Sequence, residues 1–390
     1  MFAKLPDIYG RKKILLIALV MTIIFSIAAP ITQNKVTFFI VRSLAGLSMG
    51  IIGPTLLTIT AEIVKSSHRE IGPLCISFSV HLPDLFVAMF AYFLLDLIGW
   101  RWFIVTQSVV PLIICLTLVI GAIQESPRYL MVSGHDNKAV EILQQMAKKN
   151  GKSLPQHLNI DVPSKQNRGS ISDILKSDFR KESILLSIMY FGDNLLTMGL
   201  AVFLPLALYS GFCGGQEPSP PLEECASPIQ QKDLLQLCIA TSVPLFGTLL
   251  GYSAAKKLGR SVSLKIFATT RFIIVLFFFK CFSQIGTLVL FCVLLLLQLS
   301  FGITTSIIMS ELYPTIFRST AIASISSFGK LGGVVGSAAV YGLYYINPLL
   351  VVAIFALCAL LVTVAAWIWD KETKNIVIND VRDNLDNESE

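Results

Sequence analysis

The chain carries more long apolar runs than it could bury in water. Stretches such as ILLIALVMTIIFSIAAPI (14–31), FIVTQSVVPLIICLTLVIGAI (103–123), LVLFCVLLLLQL (288–299) and PLLVVAIFALCALLVTVAAWIW (348–369) recur along its 390 residues. Several reach the roughly 20 residues that carry a helix across about 30 Å of hydrocarbon. With 54% hydrophobic and 14% charged residues, no soluble domain pair would hide that excess. The fold class expected is an all-α polytopic membrane protein, with spans near 14–31, 36–58, 72–97, 102–123, 184–208, 233–255, 263–282, 285–309, 319–344 and 348–369, about ten transmembrane helices. The glycine- and proline-rich runs 36–58 and 319–344 are counted because membrane helices tolerate both residues. The first run lacks a small-residue cleavage site and a second span follows it closely, so it reads as a span, not a signal peptide.

Orientation follows from the basic residues. Segments 1–13, 59–71, 124–183, 256–262, 310–318 and 370–390 hold 23 of the 31 Lys and Arg, against Lys35, Arg101 and Lys232 on the opposite loops. Both termini are therefore expected in the cytoplasm. The net charge of +6 reads as a topology signal and attraction to anionic lipid, with no nucleic-acid partner.

Two polar inserts interrupt the spans. HDNKAVEILQQMAKKNG, inside 124–183, has Ala139, Val140, Ile142, Leu143 and Met146 at helical spacing before Gly151, an amphipathic cytoplasmic helix. GFCGGQEPSPPLEECASP faces the other side and holds Cys213 and Cys225, either a disulfide or two free thiols. The remaining six cysteines read as packing residues. The organisation expected is a partial four-helix bundle (1–123), a central loop (124–183), a six-helix bundle (184–369) and a tail (370–390). DIYGRKKILL before the first span is echoed by KKLGRSVSLKI before the span at Ser263. In each, a Gly-Arg turn joins one helix to the next.

DIYGRKK resembles the signature turn between the second and third helices of the major facilitator superfamily, and RSLAGLSMG its fourth-helix R-x-x-x-G-x-x-x-G pattern. ESPRYL, ELYPTIFRSTAIA and ETKN are similar to signatures of the sugar-carrier and organic-ion-carrier branch. The central loop from Gln124 to Pro155, with the Cys-bearing loop, is most similar to the synaptic vesicle two-related group. The resemblance implies a major facilitator fold whose first two helices are missing ahead of Asp7. It implies a secondary carrier of a small organic solute working by alternating access. Two alternatives stay open: a transporter-like protein that serves as a binding or regulatory partner, and a truncated form of a carrier. It further implies a gating role for cytoplasmic charges: Asp7, Gly10 and Arg11 in the first turn, Gly259 and Arg260 in the second, and Glu62, Glu311 and Arg318 beside them, with Glu125 pairing Arg128. Solvated charges that only fix topology are the plainer reading.

Ionisable groups inside spans are costly and mark candidate sites. Arg42 shares a face with Gly46 and Gly50, glycines that would admit a close helix neighbour; it either faces the bundle or snorkels to the interface. Asp84 and His81 form either a proton relay or an interhelical hydrogen bond. Asp193 and Arg271 are further candidates. Lys330, in SSFGKLGGVVG, either joins a structural ion pair with a carboxylate such as Asp193 or meets an anionic solute in a water-filled cavity. In the organic-ion carriers resembled, the matching position is often acidic for cations and basic for anions, which implies an organic anion or zwitterion here. No phosphate-binding glycine loop, metal-ligand spacing or catalytic constellation appears in the sequence. The expectation is no enzyme, no cofactor and no metal. The expected partners are a small solute, with or without a coupling ion, and the lipid bilayer of a plasma or vesicle membrane.

Overall fold

The computed structural model describes residues 9–63, 71–151, 179–210, 231–280, 284–313 and 315–373. Asp7, Cys213 and Cys225 lie outside these residues, and so do the side chains of Glu62, Arg128 and Arg318. The chain divides into two compact units, Met1–Gly72 with Phe93–Asn167, and Pro73–Tyr92 with Arg168–Glu390.

In the first unit, α1 (Arg11–Ala28) runs until Pro30 turns it into a short 3-10 segment, and α2 (Lys35–Ile63) packs back against it. α3 (Ile71–Ala122) is 52 residues long, far more than one span needs at about 1.5 Å per residue. It breaks at Gly99, whose φ of 71° only glycine adopts without strain, dividing the two spans where the sequence divides them. Leu15 and Leu19 of α1, Ile59 of α2 and Val119 of α3 form this unit's core. The short α4 (Pro127–Val132) is capped by the Ser126 side chain. α5 (Asp136–Lys149) begins on Asp136, ends on Lys148 and Lys149 and stops before Gly151 at φ 65°, charges that complement its dipole.

The leading part of α3 belongs to the second unit, whereas the sequence division places all of 1–123 in one bundle; there the Ser77 and Thr248 hydroxyls lie 3.2 Å apart. The second unit also contains α6 (Arg180–Ser210), α7 (Gln231–Leu258), α8 (Arg260–Phe277), α9 (Gln284–Leu312), α10 (Thr315–Leu343) and α11 (Pro348–Ile368). Glycines bring helix backbones together: a Cβ at Gly332 or Gly336 of α10 would run into the carbonyl of Phe191 or Leu195 of α6, and one at Gly247 of α7 would lie 2.6 Å from the Leu296 carbonyl oxygen of α9. By contrast, Gly46 and Gly50 of α2, expected to admit a close neighbour, have no heavy atom of another described segment within 4 Å of the Cβ position.

Among the described residues, seven stretches are long and apolar enough to span a membrane, one of them Ser77–Gly121 at 45 residues, the two lengths of α3. α8 and α10 fall outside that set because α8 carries Arg260, Lys265 and Arg271 and α10 is rich in glycine and serine. Large apolar side chains such as Phe39, Leu97, Phe246 and Leu357 stand on the outer surface, as expected where the surrounding solvent is lipid. Of the cysteines expected in packing, Cys358 is buried, Cys238 and Cys292 are partly so, and Cys75 and Cys115 are exposed.

Candidate functional site

Two turns of the same construction begin α1 and α8. Gly10 has φ 99° and Gly259 φ 96°. In the first, the Glu125 carboxylate accepts from the backbone N–H of Arg11 at 2.9 Å and of Lys12 at 3.2 Å. In the second, Glu372 accepts from Arg260 N–H at 2.9 Å and Ser261 N–H at 3.1 Å. Each carboxylate thus satisfies free amides at a helix start and meets the positive end of its dipole. A Cβ at Gly10 would sit 2.8 Å from Glu125 Oε2, and one at Gly259 2.7 Å from Glu372 Oε2, so a side chain there would displace the clamping carboxylate, and the positive φ favours glycine in any case.

Both turn arginines are buried. Arg260 donates to Glu311 from Nε at 3.2 Å and Nη2 at 2.8 Å, a fork geometry, and its Nη1 reaches the Ala255 carbonyl at 3.1 Å. Thr373 donates to the same Glu311 at 2.8 Å. Nearby, Lys371 pairs with Glu182 at 2.6 Å and Lys181 with Asp370 at 3.1 Å. Residues 370–373 therefore strap together the ends of α6, α8 and α9. The Tyr313 hydroxyl lies 2.8 Å from that of Ser183; burial pushes this phenol up to about 12, so it remains neutral.

Glu125 is held by the α1 amides, and its expected pairing with Arg128 involves a side chain outside the described residues. The sequence reading missed Glu372 and Thr373, although ETKN follows the last span as ESPR follows the fourth.

Midway along the second unit a polar layer separates two apolar clusters, one around Phe203, Phe291 and Phe355, the other around Met189, Leu264 and Phe301. Arg271 of α8, wholly inaccessible, donates from Nη1 to Asp193 Oδ1 at 2.9 Å and to Gln298 Oε1 at 2.8 Å. Gln298 Nε2 returns bonds to Asp193 Oδ1 at 2.6 Å, to the Asp193 carbonyl at 2.8 Å and to Thr197 Oγ1 at 3.0 Å. The guanidinium lies over the Phe301 ring, 4.2 Å from its centroid. Charged groups at this depth persist only when paired and hydrogen-bonded. Gln298 was missed because an uncharged amide in an apolar run gives no signal.

Within the second unit, neither Lys330 nor Asp84 bonds to this layer among the described residues. Lys330 is exposed on α10 and makes no ion pair with a described residue; Asp193, the partner weighed for it, is taken by Arg271. Arg42 is exposed on α2. His81 Nδ1 is 3.4 Å from Asp84 Oδ2, with the Asp84 side chain largely exposed.

Apolar helices of spanning length in both units define a multi-pass helical membrane protein. The sequence matches the family described as "Sugar (and other) transporter" over residues 1–384, and the chain belongs to that family. It is 25% identical over 380 residues to synaptic vesicle 2-related protein of Pongo abelii, covering 96% of this chain and 68% of that one. It is 24% identical over 379 residues to organic cation/carnitine transporter 7 of Arabidopsis thaliana, covering 87% and 73%. Against solute carrier family 22 member 2 of Mus musculus the identity is 28% over 371 residues, covering 91% and 61%. Among solved structures, the major facilitator superfamily proton:xylose symporter XylE, bound to 6-bromo-6-deoxy-D-glucose, shares the fold with a TM-score of 0.65 at 18% identity, covering 95% of this chain and 82% of that one. By family and fold the chain is a secondary transporter by class.

Proposed function

We propose that this chain moves a small organic anion or zwitterion across a membrane by alternating access, with both termini in the cytoplasm and the clamped turns at Gly10 and Gly259 holding one of the two access states. The observation that carries the sign of the substrate is Lys330. It is exposed on a helix buried along its glycine face, and the carboxylate that would neutralise it is occupied by Arg271. A lysine left unpaired at that depth is costly unless water or an anion reaches it. The orientation rests on the asymmetry of Lys and Arg between alternate loops.

The test is uptake of gluconate and hexanoate into liposomes holding the purified full chain. Lys330→Glu should abolish uptake of both anions while the protein still inserts, and Lys330→Arg should retain part of it. Uptake that survives Lys330→Glu at equal protein content overturns the substrate sign.

A further inference from the structure

Lys265 stands five residues into α8, roughly 7.5 Å along its axis, on a face it shares with the exposed Val262 and Ile266. Its ammonium lies over the Trp367 ring of α11, 5.8 Å from the centroid, and that residue is 60% exposed. The indole Nε1 donates to Thr269 Oγ1 at 3.1 Å, one turn beyond Lys265, and Thr363 of α11 donates to the Ala268 carbonyl at 3.0 Å. These two bonds hold α8 against α11 and fix the ring beside the ammonium. Neither helix contains an acidic residue. Asp370 and Glu372, just past α11, are held by Lys181 and by the α8 amides. Among the described residues Lys265, itself half-buried, has no ion-pair partner. Beyond it, Ile273 of α8 and Leu357, Leu361 and Val364 of α11 carry exposed apolar surface on toward mid-span. A half-buried cation at the end of an apolar strip draws a compensating anion that is itself joined to hydrocarbon.

We propose that Lys265, bedded on Trp367, binds the phosphate of an anionic phospholipid whose acyl chains lie along the exposed strip of α8 and α11. The side chain leans toward the start of α8. That end is the one the asymmetry of basic residues assigns to the cytoplasm, where anionic lipids draw basic groups. The occupant is a lipid and not a soluble phosphate because the apolar strip adjoins the cation. The site does not depend on which solute is carried.

Brominated lipids quench tryptophan on contact, and Trp367 is the reporter. The full chain carrying Trp100→Phe and Trp102→Phe keeps Trp367 at the surface and Trp369 buried. In liposomes, brominated phosphatidylserine should bind at this tryptophan about fivefold more tightly than brominated phosphatidylcholine, the worth of one basic group at an anionic surface. Lys265→Gln should make the two lipids equal, and Lys265→Arg should keep most of the preference. Lys265→Met, which retains the apolar stem, takes the place of Lys265→Gln if that variant fails to insert. Lys257→Gln, on the exposed end of α7, should leave the preference unchanged. Equal binding of the two lipids, a preference that survives both neutral variants of Lys265, or one lost equally in Lys257→Gln overturns the site. Relief of quenching by glycerol 3-phosphate at constant ionic strength would show a soluble anion bound there and overturn the lipid.

Discussion

At the scale of single residues, the second unit ties its buried arginines, Arg260 and Arg271, to carboxylates. Arg271 is inaccessible and tied to Asp193 and Gln298. Removing one member of such a pair leaves the other charge uncompensated, a loss of about 3–5 kcal/mol. Arg271→Gln should therefore lower the melting temperature of detergent-purified protein sharply, and adding Asp193→Asn should recover much of the loss. A double variant no more stable than the single one would show that the pair is not the unit of stability. At the turns the cost is smaller. Glu372→Gln keeps the shape but weakens the cap at Arg260 and Ser261, a loss of about 1 kcal/mol. Gly259→Ala should cost more, because the alanine would be strained at φ 96° and its Cβ would press on Glu372.

At the scale of elements, glycines set the helix spacing. Gly332→Ala and Gly336→Ala each drive a methyl into an α6 carbonyl, so α6 and α10 must part. Overpacking of this kind costs roughly 1–3 kcal/mol, and both variants should reduce folded protein by size-exclusion chromatography. Gly46→Ala, with open space at its Cβ position, should match the wild type. The spans were legible in the sequence because hydropathy is a local property, and the break at Gly99 fell between two of them. The close contact at Gly332 was not legible and could not be told from the open position at Gly46, since both lie in glycine-spaced helices and differ only in which described residues stand opposite. The same limit hid Glu372. Its partner lies more than a hundred residues upstream, at Arg260, and only the echo between ESPR and ETKN hinted that the two ends serve matching turns. Asp193 and Arg271 were flagged by charge, but their pairing with each other depends on α8 lying behind α6.

At the scale of the whole molecule, family and fold agree on a secondary transporter, and alternating access is the claim on which the proposed function depends. Topology is a first check: cysteines introduced at Lys148 and Lys256 should resist an impermeant thiol reagent applied outside intact cells, whereas one at Lys232 should react, and the reverse pattern would invert the assigned orientation. The most direct measurement is counterflow. Liposomes holding the full chain are loaded with unlabelled gluconate and diluted into a trace of labelled gluconate. A carrier whose single site faces each side in turn should draw the label inward to a transient overshoot above equilibrium, and Lys330→Glu should remove it. Label that rises only to equilibrium, or does not enter, in vesicles shown to contain folded protein would contradict carriage of an organic anion by alternating access.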